Sequence, residues 1–371
     1  MSKELGLAVL QPGYADARIP VMEHLMPLSR EAVIHFSGID PVVEPNRVNE
    51  AFRIIAERFE QDLNWGIGLP IEGMPIYDWS DGATVKLDGA GNTVAQWGIF
   101  GALHQEGGRH LVHIPKPNSV EEALAFQPLE HFPRTIEDYK QTFQTLYDLM
   151  LASVGDTCYP IPHHYTTCFH WPLAIFGFET FCLAGVSDED RFHELMSEFA
   201  EISIRITTAW SQIEGVRAFI LHDDLSTSRG PIFSPSWYRR HVFPHYPSIF
   251  APLKEKEIPV IFTSDGNCTE FVDDIFEAGA DGLNFEHFVD LEMLVERYPD
   301  KILIGNINSS TLARGTFEDI EHETRRCMET GSRARRFVVN VAGGLTHDIP
   351  IENLECYLEC RKTLAHDLRT R

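Results

Sequence analysis

Residues 258–267, IPVIFTSDGN, constrain the fold more tightly than any other segment. Ile258, Val260, Ile261 and Phe262 run directly into Thr263, Ser264 and Asp265, and then into a Gly-Asn turn. A short apolar run without polar alternation suits a strand covered on both faces, and such strands are typical of parallel sheets flanked by helices. A buried strand that stops abruptly in polar side chains is what a parallel α/β protein presents at its ligand-binding rim.

The same unit recurs through the C-terminal two-thirds of the chain. Phe192, Leu195, Met196, Phe199, Ile202, Ile206, Trp210 and Ile213 keep a three-to-four spacing, which predicts an amphipathic helix over 190–215 closed by Gly215. A strand over 216–221 then ends in His222, Asp223 and Asp224, and a helix over 235–256 leads to the opening strand. A helix over 269–278 precedes a strand over 281–285 that ends at Glu286. A helix over 291–298 precedes a strand over 301–305 that ends in Asn306 and Asn308. A helix over 318–330 and a strand over 336–341, which carries Asn340, lead through two glycines to His347, and a last helix covers 351–368.

Earlier strands are expected at 65–69 and 156–161, and the nearest candidate for an eighth is 166–171. Repeated βα units without a Gly-rich dinucleotide fingerprint favour a (β/α)8 TIM barrel over a doubly wound sheet. The first 60 residues read as an N-terminal helical decoration, and 80–118 as a β-hairpin excursion over the barrel mouth. With no linker or repeat, residues 1–371 read as one domain.

Charge narrows the partners. There are 55 acidic and 31 basic residues, a net charge of −24 spread along the chain, which argues against nucleic-acid and anionic-membrane surfaces. No apolar run approaches the roughly 18 residues that span a bilayer. The start, MSKELGLAVL, lacks an export signal, and the seven cysteines include no CxxC pair, so free thiols in a reducing cytoplasm are expected.

In a barrel, polar residues at strand ends converge on one pocket. Asp223, Asp224, Asp265 and Glu286 are the candidate acid–base groups. His163, His164, His170, His222, Asn306, Asn340 and His347 are the candidate substrate-binding residues. Several carboxylates in one pocket stay ionised only beside cations, hydrogen-bond donors or a metal. Several of these strand-end residues also have a structural alternative: Asp223 and Asp224 as helix caps, Asp265 as an Asx-turn or cap, Asn306 and Asn308 as partners of loop backbone.

The run DDLSTSRGPIFSPSWYRRHVFPHYPSIF, followed by IPVIFTSDGN, EAGADGLNFE and ILIGNIN, resembles the uroporphyrinogen decarboxylase-like superfamily over roughly 156–364. The resemblance implies a (β/α)8 barrel and two chemistries. Decarboxylases of the superfamily carry an N-terminal RQAGRY segment and a late NxGHG histidine. Here the nearest region, MPLSREAVIHFSG, offers Arg30 alone, and Gly343 stands at the histidine position. Corrinoid-linked methyltransferases acting on coenzyme M hold zinc through H-x-C on the strand discussed above. Those positions are Thr263 and Asp265 here, the late cysteine falls among the glycines at 343–344, and the accompanying glutamate resembles Glu286.

The resemblance therefore implies a methyltransferase that demethylates a small O-, N- or S-methylated donor and passes the methyl group to a corrinoid protein carrying cobalamin. Asp265 and Glu286 would be the ligands of a divalent metal such as zinc, or proton donors to the leaving atom. A homodimer is implied by family likeness. The alternatives are a cofactor-independent decarboxylase of a porphyrinogen or other carboxylated substrate, drawing on Arg18, Arg30, Arg229, Arg239 and Arg240, and a non-catalytic binding barrel.

Overall fold

The computed structural model describes residues 3–14, 18–25, 28–65, 86–87, 93–94, 117–165 and 167–369. Among the described residues eight strands stand in parallel pairs: β1 (Met22–Glu23), β2 (Leu63–Trp65), β3 (Tyr159–Ile161), β4 (Phe219–His222), β5 (Val260–Ser264), β6 (Gly282–Phe285), β7 (Ile302–Asn308) and β8 (Arg336–Ala342), and His163–His164 forms a further two-residue strand. Helices alternate with them, which is the α/β class the sequence predicts. The described residues group into two compact units, one of Met1–Thr84, Tyr147–His163 and Gly282–Arg371, the other of Val85–Leu146 and His164–Asp281.

In the first unit β6, β7 and β8 form one parallel ladder, with Gly282 opposite Ile302 and Ile302 opposite Arg336. A parallel bridge joins Val339 of β8 to Val21, just before β1. From there β1 pairs with β2, and β2 with β3. The N-terminal region holds the expected helices Lys3–Val9, Arg30–Ser37 and Val48–Arg58, but it also supplies β1. Only two residues long, β1 has no periodicity to betray it. Its Glu23 is fully buried and is held by Tyr357 and Arg361 of the last helix, Ile351–Arg369.

In the second unit β4 and β5 pair over four residues, ending with Thr263 opposite His222. Both strands are buried along their whole length, as their unbroken apolar runs require. Helix Glu189–Ser211 begins at the N-cap Asp188, whose side chain accepts from the Arg191 amide at 3.0 Å, and it buries Phe192, Leu195, Phe199, Ile202, Ile206 and Trp210. Helix Pro235–His241 starts from Ser234 as N-cap with proline in its first turn. Its Trp237 stacks on Phe233 at 3.9 Å, and Tyr238 packs on Phe169 at 5.1 Å.

The strand candidate at 166–171 is corrected: helix His170–Phe176 begins there, and the eighth parallel strand is β1. Thr166 itself lies outside the described residues, as do residues 66–69 of the 65–69 candidate. Within the hairpin segment Lys86–Leu87 pairs antiparallel with Thr93–Val94, and the rest lies outside the described residues up to 116. Among the described residues no helix is long and apolar enough to cross a membrane.

Candidate functional site

The tips of β4 and β5 carry the site in the second unit. His222 ends β4 and is buried, with Nε2 2.7 Å from Oδ1 of Asp224 and 3.9 Å from Oδ1 of Asp265. The Asp265 amide donates to the same Asp224 oxygen at 2.9 Å, so the loops after the two strands are locked together. His170, first residue of its helix, places Nδ1 3.2 Å from the other Asp224 oxygen. Access differs sharply along this row: the Asp224 side chain is 19% exposed and the Asp265 side chain 50%.

Tight loop geometry holds the cluster. Gly266 follows Asp265 with φ +78°, and a Cβ there would stand 2.6 Å from the Ser226 carbonyl oxygen. The residue is therefore limited to glycine by both conformation and space. Ser264 Oγ accepts the Leu225 amide at 3.1 Å, and the Tyr238 hydroxyl donates to the Leu225 carbonyl.

Neighbouring carboxylates are set to different states by their surroundings. Burial pushes the Asp223 carboxyl up to about 6, against the pull of the Phe169 and His170 amides. Those amides donate to it at 3.1 and 2.6 Å, and the Tyr246 hydroxyl donates at 2.9 Å. Burial also works against charge on Asp224, but His222 and His170 beside it hold that carboxyl well below the ordinary range. Burial disfavours an imidazolium at His222, yet Asp224, Asp265 and Asp223 together push it up to about 9. At neutral pH the pair is thus an imidazolium beside a carboxylate, with Nε2 2.7 Å from Asp224 Oδ1 and next to a half-exposed acid.

The sequence candidates are divided between the two units. Asp223, Asp224, Asp265, His170 and His222 come together in the second unit, with Asp223 fully engaged in holding the turn at Phe169–His170. His164, also in that unit, is buried 5.8 Å from the Trp171 ring, and burial lowers its imidazole to about 3. Glu286, His163, Asn306, Asn340 and His347 belong to the first unit. His163 packs edge-on to Trp65 at 6.3 Å, and His347 is exposed. The Asn306 amide donates to the Val289 carbonyl at 3.1 Å and its oxygen accepts from Arg326 at 3.0 Å, while Asn340 donates to the Met22 carbonyl at 2.9 Å. Both asparagine side chains thus donate to backbone carbonyls. A Cβ at Gly343 would stand 3.7 Å from Glu286 Oε1, so the late-glycine position and this glutamate share one neighbourhood.

Two residues were not among the candidates. The Tyr165 ring lies 4.4 Å from that of His222 and 5.9 Å from that of His170, and burial, with Asp224 and Asp265 nearby, raises its phenol. Its only signal was an aromatic residue between two histidine candidates. Thr263 is the other. Paired in register with His222, it leaves the sheet on the same face. A divalent ion fits this donor set: His222, Asp224 and Asp265 each offer a nitrogen or oxygen within 4.8 Å of the others.

Comparison with known proteins places these residues in a lineage. The family model for uroporphyrinogen decarboxylase (URO-D) matches residues 173–364, more than half of the chain. A uroporphyrinogen decarboxylase of Hydrogenobaculum sp. is 26% identical over 181 residues, 48% of this chain and 50% of that protein. The corresponding protein of Pelobacter propionicus is 28% identical over 181 residues, 48% of this chain and 51% of its own. The methylcobamide:CoM methyltransferase MtbA of Methanosarcina acetivorans is 22% identical over 141 residues, 38% of this chain and 40% of that protein. The chain therefore matches about half the length of the two decarboxylases and less of MtbA. With the parallel β/α architecture and the family match together, the chain belongs to the uroporphyrinogen decarboxylase family, whose fold is the (β/α)8 barrel.

Proposed function

We propose that the protein is a methyltransferase that takes a methyl group from a small O-, N- or S-methylated compound and hands it to a corrinoid carried by a separate protein. The observation that carries this reading is the imidazolium–carboxylate pair of His222 and Asp224, with Asp265 exposed beside it. When a methyl group leaves as a cation equivalent to a cobalt nucleophile, the bonding pair stays on the donor heteroatom. An alkoxide is a poor leaving group, so that atom needs a proton or a Lewis acid. His222 supplies the proton from Nε2, Asp224 stabilises the charged imidazole and fixes its ring, and Tyr165 walls one side. A divalent ion held by the same three side chains would take the place of the Nε2 proton and supply Lewis acidity to the leaving atom instead.

Likeness to MtbA supports the transfer chemistry, and the state of the arginines counts against a porphyrinogen substrate. Arg18 pairs with Asp62, Arg30 with Asp40, Arg239 with Asp274 and Arg240 with Glu189, which leaves Arg229 on an exposed turn. A substrate with several carboxylates needs unoccupied guanidinium partners. The names of the Hydrogenobaculum and Pelobacter relatives favour the second reading, decarboxylation.

One experiment separates the readings. The protein is mixed with cob(I)alamin and a panel of methoxylated, methylamine and methylthiol donors, and the methylcobalamin spectrum is followed. In parallel, CO2 release from uroporphyrinogen is measured. Methylcobalamin formation that depends on His222 supports the transferase; CO2 release without it sinks the proposal.

A further inference from the structure

We propose that His193, His241 and His245 form a separate site on the helices of the second unit, one that takes a single first-row divalent transition ion through imidazole nitrogen alone. His241 ends helix Pro235–His241 and His245 ends the turn Phe243–His245, while His193 meets both from helix Glu189–Ser211. The His193 ring centre is 5.9 Å from that of His241 and 5.5 Å from that of His245. Imidazoles bound to one ion at about 2.0–2.1 Å have ring centres roughly 5–6 Å apart. The three rings do not yet bring their nitrogens within 4.8 Å of one another, as the donors at the strand tips do. Rotation of His193, the exposed member, closes the shell.

An independent observation points to a ligand here. His241 is fully buried, against Trp237 at 4.9 Å and Phe192 at 6.0 Å, and neither of its ring nitrogens has a hydrogen-bond partner among the described residues. His245 Nε2 is likewise buried without one, while the backbone of His241 hydrogen-bonds to that ring. A buried polar atom left unpaired costs free energy, and a metal ion takes up the lone pair of such a nitrogen. A backbone partner behind an imidazole is also how ligating histidines are oriented. Ligation needs neutral rings, and burial supplies them. It lowers His241, with Arg240 adding to the effect, and it holds His245 down at about 4. The charge of Arg240 is itself offset, since the side chain pairs with Glu189 and lies 3.7 Å from Asp190. An all-imidazole donor set suits copper, nickel or zinc rather than magnesium or calcium.

The inference does not rest on the transferase reading and is measured by binding alone. Full-length protein carrying Asp265→Ala, which removes a donor at the strand tips, is stripped with a chelator and titrated with copper(II). Electron paramagnetic resonance then reports the ligands. The expected result is one ion per chain, with couplings from more than one imidazole nitrogen. His193→Gln, at an exposed position, leaves the fold intact and weakens binding by at least the roughly 10–100-fold that loss of even an outer residue costs a metal site. His245→Gln does the same. Zinc chloride raises the melting temperature of the Asp265→Ala protein, and this rise is lost when either histidine is replaced. No copper uptake by the Asp265→Ala protein, or uptake and spectrum unaltered by both histidine variants, overturns the inference.

Discussion

Glu23 and Asp224 are both acids at or just beyond the ends of parallel strands, and both face a cation, but they are neutralised in opposite ways. In the first unit every Glu23 oxygen is taken. Arg361 at 3.0 Å and the Tyr357 hydroxyl hold Oε1, and the Val341 amide donates to Oε2 at 3.2 Å. The side chain is 0% exposed. In the second unit Asp224 meets His222, whose charge can leave as a proton, and Asp265 beside it is open to water. Burial raises the Glu23 carboxyl, so a perturbed acid alone does not mark a functional site. What separates the two clusters is exchangeable charge together with access.

The largest expected effect tests the saturated cluster. Glu23→Ala leaves Arg361 buried without its counter-ion and should cost about 3–5 kcal/mol in denaturant unfolding. A loss below about 1 kcal/mol would mean the network is not what holds β1 to the last helix. Next comes the open cluster: Asp224→Asn should lower methyl transfer by roughly 10²–10³-fold, read as methylcobalamin formed per unit time. Unchanged transfer would remove this pair from the chemistry.

Tyr246→Phe removes one donor to Asp223 and should cost about 2 kcal/mol, with a smaller effect on transfer. That outcome would place Asp223 with the scaffold; a loss of transfer without a loss of stability would place it with the chemistry. His164 tests the role of burial through pH. Its folded imidazole is lowered from 6.5 to about 3, so only the unfolded chain takes up this proton in between. Stability from this group is present above pH 6.5 and is lost as pH falls toward 3. His164→Gln should therefore move the acid-unfolding midpoint down by roughly half a pH unit. The smallest expected change is in the stability of Asp265→Asn, within ~0.5 kcal/mol, because its side chain is half exposed.

Much of the frame is legible in the sequence because strands buried on both faces write themselves as apolar runs. Val260–Ser264 and Arg336–Ala342 lie within a residue or two of the expected strands. The long helix shows in its spacing, although it ends at Ser211 rather than Gly215. β1 was hidden because two residues carry no period. At the site, His222, Asp224 and Asp265 could be named because each ends a strand or follows one. The part played by Asp223 could not, since adjacent carboxylates look alike until the amides of Phe169 and His170 show which way one of them points. Nor could Thr263 be matched to His222, because strand register comes from packing between segments far apart in the chain.

The link from Glu23 to Arg361 spans 338 residues, and this sets an order of events during synthesis. A ribosome releases β1 early and the last helix late. Until Arg361 emerges, the first strand carries a carboxylate that has no cation to bury against, so docking β1 beside β8 is unfavourable. Chains truncated before Arg361 should therefore dock β1 poorly, read as faster proteolysis than that of the full chain.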